Sequence, residues 1–289
     1  MGLRHKLRML LDKIRNRRKL WDLDIPNVLA SKNPQSLSEL DDYLTLCALA
    51  AADNDYFNKF RSCRSYRAIL ENVDGLAGEK LLSVIESYGK STEEFRHLWH
   101  SDIGKPYTYQ ISSLGEISPT ELRYSKIVCE LEILFGSLDG FKVTEIGVGF
   151  GGQGGQILQT FDVAEYEFVD LSEPLQLVKR YISEIKAPGN VRLTSPDGAS
   201  SEKRDLVISN YAYSELTLEL QEEYFEKIIS RSEKGFIIYN HITPSAYRTM
   251  TVKEFAARIE GAEMFAERPL SHPGNVLVVW GHKNRLPNQ

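Results

Sequence analysis

The sequence predicts an α/β fold: a doubly wound, mainly parallel sheet of seven strands with an antiparallel last strand, preceded by an α-helical N-terminal region. Three observations carry this expectation. An apolar strand, Val143-Thr144-Glu145-Ile146, runs into the glycine-dense turn Gly147-Val148-Gly149-Phe150-Gly151-Gly152-Gln153-Gly154-Gly155, with a helix opening near Gly155. Downstream, short apolar runs alternate with segments of helical period, as strands and covering helices do in a parallel sheet. The runs at 264–268 and 276–280 are joined only by Pro269-Leu270-Ser271-His272-Pro273-Gly274-Asn275. A parallel crossover needs a dozen or more residues, so these last two strands must be antiparallel.

The 289 residues are 42% apolar and 26% charged, ordinary values for a globular chain of one large domain with an extension. No apolar run reaches the length of a spanning helix, and the N-terminus lacks a signal-type apolar core, so a cytoplasmic location is expected. Cys47, Cys63 and Cys129 are few and widely spaced, and read as reduced thiols. Residues 1–20 carry eight Lys/Arg against Asp12 alone; removing that +7 from the net −5 leaves −12 on the remainder. An acidic body argues against nucleic acid as a partner.

Residues 1–20 form the first predicted unit, a basic amphipathic helix with Leu3, Leu7, Leu10, Leu11 and Ile14 on one face. Such a helix suits peripheral association with an anionic membrane, or packs on the body or on a second copy in a homo-oligomer. Residues 21–115 read as a helical region for acceptor binding or oligomerisation, broken at Pro26, 31–36 and 75–78. Arg61, Arg64 and Arg67 read as a solvated helix face. Residues 104–110 read as a ring-rich loop. From 116 to 289 the chain reads as the sheet domain. Ser118-Pro119-Thr120-Glu121 is a capping box opening a helix that ends at Gly136, with Arg123 and Tyr124 in its first turn.

The second strand, Tyr166-Glu167-Phe168-Val169-Asp170, ends in an acid 25 residues after Glu145, near the spacing at which a carboxylate holds a ribose diol. Ser172 caps the next helix. A third strand at 191–193 precedes Asp197, placed to accept from an adenine amino group or to serve as a turn residue. The fourth strand, 205–209, ends at Asn210-Tyr211; Ser214 then caps a helix from 215 to 231. The fifth, 236–239, ends at Asn240-His241.

Two cofactors fit the glycine turn. Gly147-x-Gly149-x-x-Gly152 matches a dinucleotide fingerprint, which expects a pyrophosphate. Glu145-x-Gly147-x-Gly149-x-Gly151 matches the first motif of enzymes using S-adenosylmethionine (SAM), whose ammonium and sulfonium favour a nearby acid. A dehydrogenase needs a further substrate domain, whereas one sheet consumes the residues after the turn, and SAM is the expected cofactor.

The segments Ser118-Pro119-Thr120-Glu121-Leu122-Arg123-Tyr124 and Glu145-Ile146-Gly147-Val148-Gly149-Phe150-Gly151-Gly152-Gln153 resemble the bacterial sugar O-methyltransferase family, class I and SAM-dependent. Asp170-Leu171-Ser172-Glu173-Pro174, Ser209-Asn210-Tyr211-Ala212-Tyr213-Ser214-Glu215-Leu216 and Tyr239-Asn240-His241 continue the resemblance, which spans residues 100–282. It implies a Rossmann-like methyltransferase sheet and transfer of a methyl group to a sugar hydroxyl, free or lipid-linked, often in a surface polysaccharide or glycoconjugate. The cofactor set expected is then Tyr124, Glu145, Gly147, Gly149, Gly151, Gly152, Gln153, Asp170, Leu171, Asp197, Asn210 and Tyr211.

Methylating a hydroxyl requires a general base at the strand ends. His241 is the first candidate, Glu215 the second and His272 the third. Tyr107, Tyr109, Tyr211, Tyr213 and Tyr239 supply a hydroxyl-bearing aromatic wall or pack as core. No metal-ligand spacing stands out. An NAD-dependent oxidoreductase, a methyltransferase with an N or C acceptor and an inactive methyltransferase-like scaffold remain as alternatives.

Overall fold

The computed structural model describes residues 34–36, 39, 42–199, 202–243 and 247–287. The basic helix expected over residues 1–20 lies outside the described residues. A hairpin of β1 (Tyr109–Ile111) and β2 (Gly115–Ile117) stands apart from the main sheet. It begins within the segment expected to be a loop. The main sheet contains β3 (Lys142–Ile146), β4 (Glu165–Val169), β5 (Val191–Thr194), β6 (Arg204–Asn210), β7 (Ser232–Tyr239), β8 (Glu263–Ala266) and β9 (Val276–Trp280).

Their spatial order is β5-β4-β3-β6-β7-β9-β8. The first five are parallel, and β9 runs antiparallel to both β7 and β8. This is the expected seven-stranded, doubly wound sheet with an antiparallel last strand. The winding reverses at β3, with β4 on one side and β6 on the other, which opens a crevice at the C-terminal ends of these strands. Alternate residues of each strand feed opposite faces. Val143, Phe168, Ile208 and Phe236 join the larger apolar cluster, and Ile146, Val169, Val207 and Ile237 the smaller.

Among the described residues four helices precede the β1–β2 hairpin: α1 (Tyr43–Ala52), α2 (Asn54–Phe57), α3 (Arg64–Ile69) and α4 (Gly75–Ser87). Residues 75–78, expected as a break, instead start α4. The Asp74 carboxylate accepts from the Ala77 N–H at 2.8 Å and caps it, while Gly78 allows Ile111 and Pro119 to close in. α4 packs on α5 (Pro119–Phe135), and α1 on α7 (Ser172–Glu184).

The predicted capping box of α5 does not form. The Ser118 hydroxyl makes no cap bond. The Glu121 carboxylate instead accepts from Arg61 Nη1 at 2.8 Å and from Gln156 Nε2 at 3.1 Å. Arg61 is therefore no solvated residue. It is fully buried, with Nε 2.5 Å from Glu71 and its guanidinium 4.7 Å from the centre of the Phe150 ring. A buried guanidinium needs carboxylates around it; two separate segments supply them, and the glycine turn adds the Phe150 ring. They tie the N-terminal helices to the glycine turn.

Two further boundaries differ. Glycine-rich α6 (Gly152–Thr160) opens at Gly152, not Gly155, because Gly151 already takes the left-handed conformation at the N-cap. Ser214 does not cap a long helix. Residues Ala212–Glu215 form a 3-10 turn, α8 (Leu218–Lys227) follows, and β7 starts at Ser232. The Ser214 hydroxyl is diverted to the Tyr211 carbonyl at 2.6 Å. Likewise Leu171, not Ser172, occupies the N-cap of α7. No helix among the described residues is long and apolar enough to cross a membrane.

Candidate functional site

The switch-point crevice is built on the turn between β3 and α6. Gly147, Gly149 and Gly151 all have positive φ, at 74°, 58° and 89°. Space matters as much as conformation. A Cβ on Gly147 would collide with the Ala212 methyl, and one on Gly149 would lie 2.7 Å from Leu70 Cδ1. The turn thus touches the end of β6 on one side and the N-terminal helices on the other.

Asp170 ends β4 beside this turn. Its carboxylate accepts from the Val148 N–H at 2.8 Å and the Leu171 N–H at 2.7 Å. Burial pushes its pKa up to about 6, against the lowering effect of those N–H donors. A carboxylate offers about four acceptor positions, so further donors can be received. Glu145 is only 2% exposed and accepts from the Tyr166 hydroxyl at 2.8 Å. Burial raises its carboxyl to about 8, partly offset by that hydroxyl.

Two more acceptors stand nearby without a donor: buried side-chain oxygens Asn210 Oδ1, at the end of β6, and Gln153 Oε1, in α6. Buried polar atoms are normally paired, and each of these two oxygens has room on it for a donor. Tyr124 is buried; its carbonyl accepts from Gln153 Nε2 at 3.4 Å, and its ring, with Phe150, walls Gly152. Leu171 is half-buried against the larger core, while Asp197 is exposed after β5.

The acid at 145 gives the site a pH signature. The folded carboxyl titrates near 8 and an unfolded one near 4.3, so the folded state holds the extra proton between these values. Stability therefore falls as pH rises through that window, by on the order of 5 kcal/mol. Glu145→Gln is expected to raise the unliganded Tm by roughly 5–10 °C at pH 9 and to leave it unchanged at pH 5. Scanning calorimetry that finds equal shifts at both pH values would contradict this.

The three expected bases lie around the mouth. Glu215 is half-buried; it accepts from Asn240 Nδ2 at 2.5 Å, and burial raises its carboxyl. His241 is exposed, its ring 6.0 Å from that of Tyr239 and beside Gly274 of the β8–β9 loop. His272 is exposed on that loop, with Nδ1 3.1 Å from the Pro273 carbonyl. The tyrosines divide. Tyr213 and Tyr239 belong to the core with Phe255, Tyr107 is exposed under Arg67, and Tyr109 and Tyr211 are partly buried against the larger core.

Sequence reasoning missed Glu267. It follows β8 and is 5% exposed, and its carboxylate accepts from the Tyr211 hydroxyl, Ser271 and Asn275. Its partner lies 56 residues away, and no local pattern signals it. Among the described residues no group of three or more His, Cys, Asp or Glu side chains is placed to hold a metal.

No family model matches the chain, nor does any curated protein. Solved structures resemble it in part. A candidate O-methyltransferase from Nostoc punctiforme aligns at 16% identity and TM-score 0.38, over 50% of this chain and 52% of that one. An rRNA methylase from Streptococcus thermophilus aligns at 17% and 0.38, over 53% and 91%. Magnesium protoporphyrin IX methyltransferase from Synechocystis, with bound SAH, aligns at 15% and 0.41, over 55% and 82%. The chain thus spans about half the length of the first of these. Likenesses this partial decide neither activity nor acceptor, which rest on the site itself.

Proposed function

We propose that the chain is a SAM-dependent O-methyltransferase whose acceptor is a sugar hydroxyl in a surface polysaccharide or glycoconjugate. The observation that carries the cofactor is the chemistry lining the glycine turn. Two carboxyls, Glu145 and Asp170, and two donorless oxygens, on Gln153 and Asn210, surround it. This set accepts hydrogen bonds and positive charge. It suits an ammonium, a sulfonium and a ribose diol, and it repels the pyrophosphate of a dinucleotide. When bound, SAM supplies an electrophilic methyl group. Asp170 would receive the ribose hydroxyls, Glu145 and the free oxygens the amino acid end, and Asp197 the adenine amino group.

The acceptor side is supported by the polar mouth formed by Glu215, Asn240, His241 and His272, and by the sequence resemblance of residues 100–282 to sugar O-methyltransferases. These residues can hold a hydroxyl-rich ring and align one oxygen for in-line attack. Calorimetric titration tests the cofactor: micromolar SAM affinity without NAD affinity is expected. NAD binding alone would favour an oxidoreductase, and binding of neither the scaffold reading. Transfer of labelled methyl from SAM to a panel of hexose, deoxyhexose and uronic acid glycosides tests the acceptor class, and wild-type transfer to at least one glycoside is expected.

A further inference from the structure

Tyr211 holds a conformation that the sheet itself does not require. It has φ +72° and ψ −37°, a region a bulky residue rarely enters and one that costs on the order of 1–3 kcal/mol. The strain is fixed on both sides: the Tyr211 N–H donates to the Ile238 carbonyl at 2.9 Å, and Ala212 is pressed against Gly147. The phenol packs against the larger core, and its hydroxyl donates to Glu267 Oε1, just after β8.

Glu267 is braced from the other side. Its Oε2 accepts from the Ser271 N–H at 3.0 Å, the Ser271 hydroxyl at 2.6 Å and Asn275 Nδ2 at 2.9 Å. Three donors occupy one oxygen and leave the other to the phenol. The charges facing Tyr211 are Glu267 and Arg123. Arg123 bonds only neutral acceptors among the described residues, the Leu70 carbonyl at 2.6 Å and Asn72 Oδ1 at 3.3 Å. By contrast, His241 has no hydrogen-bonding group orienting it among the described residues, and a general base is normally held by a third group.

Resting on the methyl-transfer reading, we propose that Tyr211 and Glu267 form the proton relay that deprotonates the acceptor hydroxyl. Tyr211 is the catalytic residue that touches the acceptor, and Glu267 is the final proton acceptor. The phenol's own proton is committed to Glu267, so its oxygen lone pair is free to receive the acceptor's O–H. As the acceptor oxygen bonds to the methyl carbon, the carbon–sulfur bond breaks and its electron pair stays on sulfur. The acceptor's proton passes to Tyr211 Oη while the phenol's proton passes to Glu267 Oε1. The sulfonium and the carboxylate both end neutral, and Tyr211 is restored.

Tyr211→Phe, Glu267→Gln, Glu267→Asp and His241→Ala test this, each assayed with a glycoside that the wild type methylates. Tyr211→Phe and Glu267→Gln are expected to bind SAM within about threefold of wild type by calorimetry and to lose at least ~100-fold in kcat. Glu267→Asp recovers tenfold or more over Glu267→Gln, and His241→Ala, at the acceptor mouth, keeps more of kcat than either Tyr211→Phe or Glu267→Gln. A spectroscopic readout is independent of turnover. Phenolate absorbance in Glu267→Gln gains one tyrosine that ionises at lower pH than in wild type, and the added Tyr211→Phe change removes it. Near-normal kcat in both Tyr211→Phe and Glu267→Gln, or loss confined to His241→Ala, overturns the relay and leaves the methyltransferase reading standing. A wild type that binds no SAM, or methylates none of the glycosides, overturns both.

Discussion

Asp170→Ala lowers the affinity for SAM by about 10²- to 10⁴-fold and leaves the circular dichroism spectrum unchanged. On the proposed pairing, two ribose hydroxyls lose a charged acceptor, each such bond contributing about 1.5–3 kcal/mol. The fold survives because Asp170 is half-buried at a strand end, outside the apolar clusters, and its present partners are the N–H groups of Val148 and Leu171. In the alanine variant these two N–H groups lose that acceptor. Asp170→Asn, which keeps the shape and one acceptor oxygen, is expected between the two. Calorimetric titration gives the affinities, and an alanine variant that binds as tightly as wild type would remove Asp170 from the cofactor site.

Arg61→Ala costs about 3–5 kcal/mol of stability, because Glu71 and Glu121 remain buried without their cation. Both carboxylates are nearly inaccessible to water, at 3% and 1% of their side-chain surface. Phe150 also loses the guanidinium that lies against its ring. The comparison that isolates the charge effect is the triple replacement of Arg61, Glu71 and Glu121 by apolar residues of similar volume. That variant is expected to recover most of the loss, since burying three charged groups is itself expensive. Equilibrium urea unfolding measures all of them. A loss below 1 kcal/mol in Arg61→Ala would mean that water reaches the orphaned carboxylates.

What the sequence revealed and what it hid follow from the range of the interactions. The positive-φ turn at Gly147, Gly149 and Gly151 and the place of Asp170 just after a strand were readable because each is set within a few residues. The antiparallel close was readable from the short 269–275 connection alone. Ser118-Pro119-Thr120-Glu121 misled because a capping box presumes Glu121 is free to fold back, and Arg61, 60 residues away, takes it. Arg61 looked like a surface cation for the same reason. The helix expected from Ser214 was displaced by the strained turn at Tyr211, and propensity does not register strain imposed by contact with Gly147. Glu267 follows the most exposed edge strand and carries no local motif, so only the fold brings it to Tyr211.

The buried Arg61 cluster also sets a timetable for the growing chain. Glu121 is made 60 residues after Arg61, and Phe150 a further 29. At translation speeds of roughly 5–20 residues per second, the N-terminal helices wait about 4–18 s for their docking surface to be synthesised. Throughout that interval the guanidinium stays hydrated. The cover is thus made before the turn that it covers.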